Sequence, residues 1–85
     1  MFSYKTKGVC STKIELQLSE DGTVESVAFT GGCNGNTQGV SRLVVGMKAE
    51  EAISRLKGIK CGFKTTSCPD QLSKALELAL AEQKK

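Results

Sequence analysis

Lys13-Ile14-Glu15-Leu16-Gln17-Leu18-Ser19-Glu20-Asp21-Gly22-Thr23-Val24-Glu25-Ser26-Val27-Ala28-Phe29 reads as one β-hairpin. Ile14, Leu16 and Leu18 alternate with Lys13, Glu15 and Gln17, the period-two pattern of a strand with one buried and one wet face. Asp21-Gly22 is a hairpin signal, since the tight turns that join such strands need positive φ. Residues 24–29 form the returning strand. Upstream, Phe2, Tyr4 and Thr6 share one face before Gly8 breaks the run. Short connections between three strands predict an antiparallel meander.

Downstream the period changes to that of helices. After the loop Gly31-Gly32-Cys33-Asn34-Gly35-Asn36, Val40, Leu43 and Val44 fall at helical spacing, and Gly46 stops that helix. Ala49, Ala52, Ile53 and Leu56 form a second apolar set, ended by Gly58. Leu72, Ala75, Leu76, Ala79 and Leu80 make one stripe at i, i+3, i+4, i+7 and i+8, predicting a third helix from about Pro69 to about Glu82. Ser67-Cys68-Pro69-Asp70 supplies its cap, an early proline and an early carboxylate. The expected fold is α+β: a three-stranded antiparallel sheet followed by three helices packed on it, one domain over residues 1–85.

Composition bounds the function. Eighty-five residues hold one small core, built from aliphatic side chains because aromatics are few and tryptophan is absent. No apolar run approaches the ~18 residues of a membrane span, and the N-terminus lacks a secretory leader's charged-then-apolar order. A cytoplasmic location is expected. The formal net charge is +3, but no basic stripe is interleaved with stacking aromatics, so a nucleic-acid partner is not expected. Histidine is absent, which excludes every mechanism that needs an imidazole base or ligand.

Four cysteines stand out: Cys10, Cys33, Cys61 and Cys68. In a reducing compartment such enrichment points to metal binding or catalysis before disulfides. A lone cysteine is often a small buried hydrophobe. All four of these, however, fall in predicted turns or at element ends. Their spacing, 22, 27 and 6 intervening residues, contains no Cys-x-x-Cys knuckle, so convergence on one site depends on the fold. Cys68 stands at the positive end of a helix macrodipole, a placement suited to an anionic ligand sulfur. Gly32, Asn34 and Gly35, around Cys33, are candidates for a backbone N–H nest that would bind a cofactor or other anion. Without a following Gly-Lys-Ser/Thr the loop is not a P-loop. Asn34 and Asn36 also suit left-handed turn positions or caps. Asp70 reads as a helix-cap carboxylate, while Glu50 and Glu51 face solvent.

Thr66-Ser67-Cys68-Pro69-Asp70 matches, letter for letter, the signature that names the TSCPD domain. The chain resembles the small stand-alone four-cysteine members of that family over nearly its whole length. The domain is in turn similar to the C-terminal tail region of cobalamin-dependent ribonucleotide reductases. A more distant resemblance, carried by residues 22–47 and by Gly46-Met47-Lys48-Ala49-Glu50-Glu51-Ala52, links the chain to U-type iron–sulfur scaffold proteins. Those scaffolds have a ligand cysteine before the second strand, as Cys10 stands, one after the third, as Cys33, and one opening the last helix, as Cys68. Thr12 replaces the scaffold's aspartate, Ser67 its histidine, and Cys61 is additional. The resemblance thus implies a metal held more tightly than a transferable cluster.

These readings converge on a metal-binding module with Cys10, Cys33, Cys61 and Cys68 as ligands of Zn²⁺ or an iron–sulfur cluster. With zinc the site would carry −2 and the chain about +1. The alternatives are a redox-thiol accessory, with Cys61 and Cys68 exchanging, and a nucleotide-binding accessory. The expected partner is a protein, a reductase or part of an iron–sulfur assembly system. The chain is too short for a reductase barrel with its radical site and cobalamin pocket, so it is not expected to be an enzyme by itself.

Overall fold

The computed structural model describes residues 2–6, 11–31, 34–59 and 66–83. Strands β1 (Phe2–Lys5), β2 (Ser11–Leu18) and β3 (Val24–Gly31) precede helices α1 (Asn34–Val44), α2 (Ala49–Leu56) and α3 (Cys68–Gln83). The sheet is antiparallel with order β1-β2-β3, and the protein is the expected α+β fold.

Register explains why the alternation was informative. Phe2 pairs with Leu16 and Tyr4 with Ile14, while Ile14 pairs with Phe29 and Leu16 with Val27. One apolar face results. Ile14 and Leu16 are wholly buried, with Phe2, Tyr4, Val27 and Phe29 packed around them. From α3, Leu72, Ala75, Leu76 and Ala79 complete the core, joined by Val24, Val44, Ala49 and Ala52. Burying each large aliphatic side chain contributes about 1.5–3 kcal/mol. That helix packs on β1 and β2 with one face and on α2 with another, while α1 lies against β3.

Gly22, at φ +83°, makes the hairpin turn, and Asp21 anchors it. The Asp21 carboxylate accepts from the Ser19 hydroxyl, the Thr23 amide at 3.2 Å and Lys48 Nζ at 3.1 Å. The sequence pattern gave no hint of what comes next to it. Residues 46–49 run alongside the start of β3: Val24 N–H donates to the Met47 carbonyl at 2.8 Å, Gly46 N–H to the Val24 carbonyl at 2.9 Å, and Ala49 N–H to the Gly22 carbonyl at 2.8 Å. This strap, with its single bridge Thr23–Lys48, satisfies edge groups of the sheet and seats α2 beside the hairpin.

Two expectations are corrected. Asn34, Gly35 and Asn36 belong to the first turn of α1 rather than to a loop, and among the described residues no residue other than glycine has positive φ. Leu43 is 76% exposed. Val40 and Val44, one turn apart, face the core, which rotates Leu43 away from it.

Candidate functional site

Within Thr66-Ser67-Cys68-Pro69-Asp70, the four residues around the cysteine each have a local structural task. Ser67 is the N-cap of α3: its carbonyl accepts the first helical bond from Gln71 N–H at 2.8 Å, and its hydroxyl accepts from Asp70 N–H at 3.2 Å. The same hydroxyl donates to the Ile59 carbonyl at 2.6 Å, pinning the turn beyond α2. Pro69 sits in the first turn, where its missing N–H has no helical acceptor to lose.

Asp70 departs from a simple cap. Its carboxylate does not close a capping box but accepts the Gly58 amide at 2.8 Å and the Thr66 hydroxyl at 2.6 Å, with Lys74 Nζ at 3.8 Å. The side chain is buried, at 6% exposure. Burial pushes its carboxyl up, yet the Thr66 hydroxyl, the Gly58 amide and the charges of Lys74 and Lys57 outweigh that and hold it below the usual carboxylate range. Gln71 Nε2 donates to Thr66 Oγ1 at 2.9 Å, and Tyr4 OH donates to Gln71 Oε1 at 3.3 Å. Ser73, wholly buried, donates to the Asp70 carbonyl at 2.6 Å.

Held inside this frame is Cys68, the first residue of α3, buried at 6% exposure. Of the remaining candidate residues, Cys10, Gly32, Cys33 and Cys61 lie outside the described residues, and Asn34 and Gly35 open the backbone of α1. Among the described residues no group of three or more histidine, cysteine, aspartate or glutamate side chains could hold a metal ion. That statement includes only one of the four candidate ligands.

The described neighbours of the cysteines nonetheless share one end of the molecule. Ser11, next to Cys10 in the chain, pairs with Gly31, two residues before Cys33. Tyr4 on β1 reaches Gln71 in the first turns of α3. Gly58 and Ile59, which precede Cys61, bond to Asp70 and Ser67 on either side of Cys68. The opposite end holds the hairpin turn, where Gln83 Nε2 donates to the Ser19 carbonyl at 2.6 Å. Among the described residues, grooves lie beside Leu18, Ala79 and Gln83, between Asp21, Lys48 and Leu80, and between β3 and α1, and Cys68 lines none of the three.

Sequence reasoning placed Cys68 and Ser67 but missed Tyr4, Thr66 and Gln71 as members of a buried polar chain. A polar run at a helix start, Thr66 to Gln71, was the available signal. Among the described residues no helix is long and apolar enough to cross a membrane. No curated protein and no solved structure matches the chain. Residues 2–80 match the TSCPD domain, and with that span the chain belongs to the TSCPD domain family.

Proposed function

We propose that the protein is a cytoplasmic metal-binding module in which Cys10, Cys33, Cys61 and Cys68 together hold Zn²⁺ or an iron–sulfur cluster. The observation that carries the reading is the common location of the described chain on either side of these cysteines: Ser11 opposite Gly31, Tyr4 bonded to Gln71, and Gly58 bonded to Asp70. The donor set fits, because thiolates suit both zinc and iron–sulfur clusters. Bound metal would supply folding energy to a small core. The backbone of Asn34 and Gly35 at the start of α1, with Gly32 before it, would add N–H groups facing negative charge. The module acts with a protein partner, a reductase or a cluster-assembly protein, and no enzymatic activity of its own is proposed.

One observation also favours a redox-thiol reading. The Ile59–Ser67 bond at 2.6 Å holds together the two ends of the chain segment that carries Cys61, next to Cys68. Elemental analysis and X-ray absorption of protein purified anaerobically without chelator test the proposal. One sulfur-coordinated metal ion or cluster per chain is expected. Metal-free protein whose Cys61 and Cys68 exchange with a disulfide reagent would replace it with the redox reading.

A further inference from the structure

Four hydrogen bonds run in series around the buried start of α3, from Tyr4 OH to Gln71 Oε1, from Gln71 Nε2 to Thr66 Oγ1, from Thr66 Oγ1 to Asp70 Oδ2, and from the Gly58 amide to Asp70 Oδ1, at 3.3, 2.9, 2.6 and 2.8 Å. They cross from β1 to the start of α3 and on to the turn after α2. Thr66 is the node: its one hydroxyl accepts from Gln71 and donates to Asp70, and its side chain is buried at 7% exposure. A buried polar chain is an inefficient way to add stability, since apolar side chains of similar volume do as well. What it adds is a single allowed arrangement, because any slip leaves buried groups unpaired. The segments so aligned are those that lead, in sequence, towards Cys10 and Cys61 or begin with Cys68.

We infer that Thr66 is the positioning residue of Cys68, its hydroxyl locking β1 and the turn after α2 to the helix start that presents that thiol. The inference rests on the metal-site reading above for its purpose, but its test does not need metal. Thr66→Val keeps the shape and removes the hydroxyl, taking one acceptor from Gln71 Nε2 and one donor from Asp70 Oδ2, while Thr66→Ser restores it.

In reduced, metal-free full-length protein, iodoacetamide alkylation is followed at each cysteine by peptide mapping. Thr66→Val is expected to speed alkylation of Cys68 about tenfold by easing local opening of the helix start, with less effect at the other cysteines. Thr66→Ser is expected to return the rate to that of the wild type. A wild-type rate in Thr66→Val, equal acceleration at all four cysteines, or no rescue by Thr66→Ser overturns the inference. Should Thr66→Val lose its far-ultraviolet helix signal, Tyr4→Phe, which breaks the first link, takes its place; several-fold acceleration at Cys68 supports the inference and none overturns it. Cobalt(II) added to the wild type separates the two claims. Absence of a thiolate-to-cobalt absorption band overturns the metal reading, and the alkylation rates still decide the role of Thr66.

Discussion

The Gly58 amide donates to Asp70 Oδ1 at 2.8 Å, so the turn that ends α2 is held by the first turn of α3. Asp70→Ala would take from the Gly58 amide and from the buried Thr66 hydroxyl the carboxylate that accepts from both. The expected cost is about 2–3 kcal/mol, or a fall on the order of 10 °C in Tm for a domain of this size. Asp70→Asn keeps one carbonyl acceptor and is expected to lose less. Differential scanning calorimetry of the three proteins checks this, and a Tm for Asp70→Ala within about 2 °C of the wild type would show that the clamp carries no stability.

Two glycines are expected to respond in opposite directions. At Gly22, with φ +83°, an added Cβ would meet Leu80 Cδ2 at 3.5 Å, an ordinary contact, so the penalty is conformational and about 1–2 kcal/mol. Gly39 lies inside α1, and an added Cβ there meets nothing within 4 Å. Gly39→Ala should therefore stabilise the protein by about 0.5–1 kcal/mol, through a better helix former and a less free unfolded chain. Urea unfolding of both variants measures the signs, and a destabilised Gly39→Ala would mean that α1 needs glycine for something other than its backbone.

The parts of this fold that were legible in the sequence are those set by periodic burial. Ile14 and Leu16 on β2, and Leu72, Ala75, Leu76 and Ala79 on α3, announced themselves by spacing because each faces one apolar layer. The second buried face of α3 was not legible. Gln71 and Ser73 are buried there, and polar residues satisfied by hydrogen bonds, Gln71 to Thr66 and Tyr4 and Ser73 to the Asp70 carbonyl, leave no hydrophobic period. The strap at residues 46–49 was hidden for a related reason, since its bonds are made by backbone groups that every sequence carries. At the candidate site, the place of Asp70 in the first turn of α3 was readable, whereas its carboxylate's partner Gly58 depended on how α2 and α3 pack.

Asp21 is expected to give the stability of the hairpin a pH dependence. The Ser19 hydroxyl, then Lys48 and Thr23, hold its carboxyl well below the usual carboxylate range. A group whose folded value is depressed contributes above its unfolded value, about 4, and that contribution is lost as pH falls through the folded one. Asp21→Asn should thus lower Tm at pH 7, and the gap to the wild type should close progressively below pH about 4. Added salt should shrink the Lys48 part of the gap, because both side chains are exposed. Thermal melts across pH 2–8 test this, and a gap that widened on acidification would reverse the assigned sign.

Cys68→Ser separates the two uses of the thiols. In the metal reading Cys68 is a ligand, and ligand loss is also loss of folding energy, so metal content and Tm should fall together. In the redox reading the sulfur is a nucleophile, and serine of nearly the same size at a capped, buried helix start should leave Tm almost unchanged while thiol exchange disappears. The frame around the residue makes the comparison clean. Ser67 caps α3 and Asp70 holds Gly58 through groups that the substitution does not touch. A fall in Tm in the substituted protein would therefore be read against chelator-treated wild type. If chelation lowers the Tm of the wild type to that of Cys68→Ser and leaves the variant where it was, the stability lost is that of the metal. If chelation leaves both melts unmoved and the metal content of the two proteins is equal, Cys68 is not a ligand, and the metal site must be sought among the other three cysteines.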